Sequence, residues 1–147
     1  MKAKQLQGGD GGARVFALVF ERGEQVMGPL VGFLREHSVG GARLTGIGGF
    51  SAVTLGYFDW EKKAFERHQL DEQVELLSLT GDVALEGDEP RVHAHVVVGR
   101  SDLTVRGGHL LDGIVRPTLE LIIEDAPSHL RKRHDPETGL ALIAPEL

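Results

Sequence analysis

Hydrophobic and polar positions along the chain fall into short segments, most of them of strand type. Arg14-Val15-Phe16-Ala17-Leu18-Val19-Phe20 is a compact apolar run with the length of a buried strand. Val26, Leu30, Phe33 and Leu34 then recur at helical spacing, with Arg35 and Glu36 off the stripe, which predicts one amphipathic helix. Pro29 fits that helix only in its first turn, and Gly40-Gly41 offers it an end. From Arg43 to Trp60 the pattern changes to β-branched and aromatic residues interrupted by glycine, read as two strands or one long bent one.

Further strands are predicted from Val74 to Leu85, Val92 to Val98 and Gly113 to Glu124, with a short terminal one from Gly139 to Ala144. Glu86-Gly87-Asp88-Glu89-Pro90 reads as an acidic turn, and Arg100-Ser101-Asp102 as a turn whose return begins over Leu103 to Arg106. A second, short helix is expected near Ser128 to Arg133. The glycine cluster Gly8–Gly12 makes residues 1–12 a flexible tail, leaving 13–147 as a single domain without repeats or an internal linker. Strands dominate around one helix, so the fold class is α+β.

Composition narrows the functional classes. A chain of 147 residues fits one domain with a core of its own, and 41% hydrophobic with 26% charged residues is ordinary globular usage. No apolar run approaches the ~20 residues needed to cross a bilayer, and Met1-Lys2-Ala3-Lys4-Gln5-Leu6-Gln7 is basic without the apolar centre of a signal peptide. Cysteine is absent, so a metal would have to be held by His, Asp, Glu or water. These features favour the cytosol. A net charge of −6 argues against holding nucleic acid by bulk electrostatics. The basic stretch Arg131-Lys132-Arg133-His134, offset by Asp135 and Glu137, reads as a solvated surface turn.

His93-Ala94-His95 is the densest chemical feature. On a strand, residues i and i+2 share a face, so both imidazoles project together. His109 follows Gly107-Gly108 on the return strand. A three-residue loop over Arg100-Ser101-Asp102 would set His93 opposite His109 on the same face. A two-residue loop would turn His109 to the other face, unless the two glycines form a corrective bulge. Three neutral imidazoles with one open position suit a divalent ion, zinc foremost. Gly107 and Gly108 leave room for a small ligand beside it. The alternative is that these are ordinary strand histidines bonded to their neighbours.

Other candidates carry less. Gly46-Ile47-Gly48-Gly49-Phe50-Ser51 begins like a dinucleotide fingerprint but lacks the third glycine and the following helix. Ser51 and Ser101 lack a nucleophile-elbow context. Glu120 and Glu124 share a strand face, and Glu120 is a candidate general base. His37, His68, His129 and His134 read as surface residues, and Tyr57 with Trp60 is too little for a base-stacking platform.

The same residues carry a family resemblance. Gly46-Ile47-Gly48-Gly49 leads to Leu55-Gly56-Tyr57-Phe58-Asp59, then to Glu75-Leu76-Leu77-Ser78-Leu79-Thr80-Gly81. His93-Ala94-His95, Gly107-Gly108-His109-Leu110 and Thr118-Leu119-Glu120 follow in order. From about Val15 to Ile123 the chain resembles the plants-and-prokaryotes conserved (PPC) domain in its stand-alone prokaryotic form. The resemblance implies a mainly antiparallel, mixed β-sheet with one or two flanking helices, assembled as a homotrimer. It further implies a metal site formed by the three matching histidines near a subunit boundary. Plant relatives join this domain to AT-hook arms. Arg116-Pro117 lacks the rest of such an arm, so DNA association rests on family analogy alone.

Three functions follow as hypotheses. One is a metal-binding trimer, with hydrolytic or lyase-type chemistry on a water activated by the ion. Another is a DNA-associated or regulatory assembly module, and the last a structural oligomer whose histidines serve its interface.

Overall fold

The computed structural model describes residues 1–8, 12–126 and 128–147. Its elements in chain order are β1 (Lys2–Gln7), β2 (Arg14–Glu21), α1 (Met27–Glu36), β3 (Gly41–Asp59), β4 (Ala64–Leu70) and β5 (Val74–Glu86). They continue with β6 (Glu89–Gly99), β7 (Val105–Asp125), β8 (Lys132–His134) and β9 (Ala141–Ile143). Seven strands form one sheet in the order β1-β2-β7-β6-β5-β3-β4, every named pairing being antiparallel. A further pairing of β7 with β3 closes β3, β5, β6 and β7 into a hydrogen-bonded circuit.

Alternation along the strands puts one face inside. Phe16, Leu18 and Phe20 of β2, Val96 and Val98 of β6, and Leu119, Leu121 and Ile123 of β7 are all buried. Leu30, Phe33 and Leu34 of α1 join the same core, and the Phe33 ring meets Phe16 edge-on at 5.3 Å. Pro29 lies in the first helical turn, where its missing N–H costs nothing. The helix stops sooner than Gly40-Gly41 would place it. Ser38 takes a left-handed φ of 52°, and the Val39 and Ser38 N–H groups donate to the Leu34 and Arg35 carbonyls, a Schellman closure.

The stretch from Arg43 to Trp60 is one long strand rather than two, bent by register shifts against β5 and β7. Gly48, at φ 150°, lies so close to β7 that a Cβ there would stand 2.3 Å from the Thr118 carbonyl oxygen. Hence the glycine-rich motif of β3 serves strand packing. β7 likewise runs unbroken through the return, Gly113 and beyond.

Two expectations are corrected, and one strand is added. Lys2–Gln7 is not part of a tail: it pairs with β2 as an edge strand. All six of its residues are exposed, so backbone pairing holds it and no apolar alternation betrays it. Residues 9–11 of that expected tail lie outside the described residues. The short helix expected near Ser128 to Arg133 is absent among the described residues. Leu130 is instead bonded through its backbone to Gly40 and Leu85, and β8 follows in extended form. Lastly, β4 forms from a segment the pattern leaves unassigned, polar except for Ala64, Phe65 and Leu70.

Candidate metal centre

β6 and β7 join through residues 100–104, and Gly99 pairs with Val105. This loop is two residues longer than Arg100-Ser101-Asp102, so His95, not His93, lies directly opposite His109. A shift by an even number preserves the face, because side chains alternate with a period of two. Ala94, Val96, Val98 and Leu110 take the inner face, while His93, His95 and His109 share the outer one.

The three imidazoles form a tight triangle. Ring centroids are 5.0 Å apart for His93–His95, 5.1 Å for His93–His109 and 5.6 Å for His95–His109. One ligand atom from each histidine lies within 4.8 Å of the other two. Zinc–nitrogen bonds of about 2.0–2.1 Å place tetrahedral ligands roughly 3.4 Å apart, a spacing that small side-chain rotations reach from here. The Nδ1 atom of half-buried His109 is enclosed without a hydrogen-bond partner. Buried polar atoms are rarely left so, and a cation shared among imidazoles would account for it. The residues fit a divalent ion.

Burial and neighbouring charges disfavour protonation of His109. Burial first, then the neighbouring His93, His95 and Lys132 charges, lower its pKa from 6.5 to about 4. On the next strand, His93 pairs with Asp82 and His95 with Thr80. Asp82 Oδ2 lies 3.4 Å from His93 Nδ1, and Lys132 Nζ lies 3.2 Å from Asp82 Oδ1. That second contact is an ion pair without hydrogen-bond alignment, so Oδ1 has no bonded donor. Burial raises the Asp82 pKa, but the adjacent His93 ring and the Lys132 charge outweigh it and hold the carboxyl below its usual value.

A recess of about 380 Å³ opens over the triangle. Phe58 and Phe65 wall one side, Leu140 contributes from the C-terminal segment, and the Phe65 ring rests 4.6 Å from His109. Gly108 lines this recess, while Gly107 lines a neighbouring depression with Arg67, His68 and Arg106. A Cβ on Gly108 would stand 2.8 Å from the Gly56 carbonyl oxygen, so glycine lets β7 lie close to β3 beside the site.

The remaining candidates stay apart. Glu120 lines a different recess, with Ile47 and Leu77, and Glu124 pairs at the surface with Arg43 at 3.6 Å. The Ser51 hydroxyl donates to the Ile114 carbonyl. His68, His129 and His134 are exposed, whereas His37 is half-buried and stacks on Phe33 at 4.0 Å, correcting its surface reading. The basic run is also not wholly solvated, since the Lys132 side chain is 6% exposed. Sequence reasoning missed Asp82, Lys132, Phe65 and Leu140. For Asp82 a signal existed: counting back from a two-residue Gly87-Asp88 turn sets it opposite His93.

Comparison with known proteins places the chain in a family and agrees with its fold. The model of the Plants and Prokaryotes Conserved (PCC) domain matches residues 7–127. A plant- and prokaryote-conserved protein from Pyrococcus horikoshii has a solved structure similar to this one, with TM-score 0.83 and 32% identity over 89% of this chain and 91% of that one. A metal-containing protein from Archaeoglobus fulgidus is similar at TM-score 0.81 and 30% identity, covering 88% and 92%. A Bacteroides thetaiotaomicron protein whose name proposes DNA binding aligns at TM-score 0.88 and 26% identity, covering 99% of each chain. No curated protein matches the chain. No helix is long and apolar enough to cross a membrane among the described residues.

Proposed function

The chain belongs to the Plants and Prokaryotes Conserved domain family, and within it we propose a cytosolic, homotrimeric metal-binding protein whose ion, zinc, is held by His93, His95 and His109. The observation that carries this reading is the triangle itself, one ligand atom from each of three imidazoles within 4.8 Å. The metal-containing relative from Archaeoglobus fulgidus supports it. So does the absence of cysteine, which leaves nitrogen and oxygen donors, with imidazole suited to zinc.

A divalent ion here would supply Lewis acidity and activate water toward a polarised substrate. The chain's own residues do the rest. Low basicity keeps His109 neutral and able to donate its lone pair. Asp82 Oδ2, 3.4 Å from His93 Nδ1, favours a proton on that nitrogen, which would leave Nε2 as the lone pair available to an ion. Phe58, Phe65 and Leu140 give the recess apolar walls, and Gly108 takes no space on its floor, which suits a small ligand with an apolar part.

Self-association is supported by exposed apolar side chains on the outer sheet face. Ile47, Leu77 and Ile122 line a recess of about 560 Å³ bordered by Thr80, the cross-strand partner of His95. An apolar patch of this kind marks an interaction surface, here one that adjoins the histidine row.

The test is elemental analysis by mass spectrometry on protein purified without a histidine tag, beside the triple variant His93→Ala, His95→Ala, His109→Ala. The expected result is close to one zinc per chain, lost in the variant. No metal in either protein after incubation with zinc would overturn the proposal.

A further inference from the structure

The basic C-terminal segment reaches the histidine cluster through one carboxylate. Lys132 is nearly desolvated, its side chain 6% exposed, and a buried ammonium requires an opposite charge. It finds Asp82, whose Oδ1 is 3.2 Å from Nζ. The other oxygen of the same carboxylate is 3.4 Å from His93 Nδ1. Asp82 thus stands between a cation delivered by β8 and an imidazole delivered by β6. Lys132 is also near enough to His109 for its charge to oppose protonation there.

The segment is seated, not merely appended. The Leu85 N–H donates to the Leu130 carbonyl at 2.8 Å, and the Leu130 N–H to the Gly40 carbonyl at 3.0 Å. Gly40 and Gly41 make room for it: a Cβ on the first would stand 2.3 Å from His129 Nδ1, and on the second 2.8 Å from the Ser128 carbonyl oxygen. Beyond Lys132 the chain turns at Asp135, which accepts hydrogen bonds from the Thr138 N–H at 2.9 Å and its hydroxyl at 2.7 Å. This hairpin returns as β9, paired with β8, and brings Leu140 to the wall of the histidine recess. Residues 128–147 all lie outside the stretch that the family model matches.

We infer that the β8–β9 hairpin is a working part of the histidine site: Lys132 holds the Asp82 carboxylate, Asp82 fixes the ring of His93, and Leu140 closes the recess. Lys132 and Asp82 are positioning residues, and the inference rests on the metal-binding reading of the triad. Partners behind a metal-bound histidine fix its tautomer and ring angle, and losing one typically costs about 10–100-fold in metal affinity.

The experiment is a zinc titration against a chromophoric chelator on the full-length, tag-free chain, comparing wild type with Lys132→Met, Asp82→Asn and the double variant. Each single variant should weaken zinc binding by about 10-fold or more, and the double variant should bind no more weakly than Asp82→Asn, because both act along one path. Wild-type affinity in Lys132→Met, or losses that add in the double variant, would overturn the inference. A wild-type protein that binds no zinc would fail the metal reading instead. A second readout then decides the inference without any variant. Nitrogen-15 shifts of the metal-free wild type near pH 8, well above the ordinary histidine value of ~6.5, should place the His93 proton on Nδ1. A proton found on Nε2, or spread over both nitrogens, refutes the relay.

Discussion

His95 and His109 face each other across adjacent strands of one antiparallel ladder, with His93 two residues along β6 on the same outer face. Because two separate strands supply the cluster, its geometry depends on the register of β6 against β7. On the metal-binding reading, replacing any one of the three histidines by alanine removes a ligand rather than its support. Each single variant should therefore lose more than the roughly 10–100-fold in zinc affinity typical of a supporting residue. Competitive chelator titration measures this. A single variant that binds like wild type would remove that histidine from the site.

The inner-face strands were legible because apolar residues recur at a period of two or run unbroken, as in Arg14–Phe20 and Val92–Val98. The shared face of His93, His95 and His109 was legible for the same reason, even though the loop of residues 100–104 moved the cross-strand partner from His93 to His95. β1 and β4 were not legible. Both lie at sheet edges, and their polar sequences report solvent while their backbones report pairing. Lys132 was invisible for a deeper reason. A basic run looks solvated until tertiary structure supplies Asp82, and that meeting joins residues 50 apart through contacts with Gly40 and Leu85.

Gly108 and Gly107 should respond differently to alanine. A methyl group at 108 meets the Gly56 carbonyl oxygen at 2.8 Å, a backbone atom with little freedom to move. At 107 the nearest atom is the Val96 carbonyl oxygen at 3.2 Å, which needs a shift of only a few tenths of an ångström. Overpacking a tight site typically costs about 1–3 kcal/mol, so Gly108→Ala should lower the melting temperature by several degrees and Gly107→Ala by clearly less. Equal melting points for the two variants would contradict the close approach of β7 to β3.

Metal-free protein should lose stability as pH falls from about 6.5 towards about 4, the interval between the ordinary and folded values of His109. In that window the unfolded chain binds a proton at this residue and the folded chain does not. Protons therefore favour unfolding, and stability rises with pH. The Asp82 contribution is present above its usual value of 3.8 and is lost only as pH falls below it, so the two windows separate. Urea unfolding of the metal-free protein at several pH values should show this slope, and His109→Asn should flatten it between pH 4 and 6.5. An unchanged slope in that variant would assign the dependence to other groups. Zinc should steepen the wild-type slope, since its ligands must be deprotonated to bind.

DNA association is expected to fail at physiological salt. Phosphate contacts need a cationic face, but the chain carries a net charge of −6 and much of its basic side-chain content is already paired. Lys132, within the basic run 131–134, is turned inward onto Asp82. Fluorescence anisotropy with an A·T-rich duplex at ~150 mM salt should give no saturable binding. A salt-dependent complex in the micromolar range would revive the regulatory reading.

Assembly should depend on the outer apolar face. Leu77 is 52% exposed and Ile47 60%, and both line the recess bordered by Thr80. A carboxylate at position 77 would have to be desolvated if this surface packs against another copy, a cost that a free surface would not impose. Leu77→Glu should convert a trimer into monomers by light scattering while leaving the far-ultraviolet circular dichroism intact. Because Thr80 is the cross-strand partner of His95, the same variant should also weaken zinc binding if the interface steadies the histidine row. A wild-type chain that is monomeric at tens of micromolar would remove the trimer, and the histidine triangle would then stand on contacts within one chain.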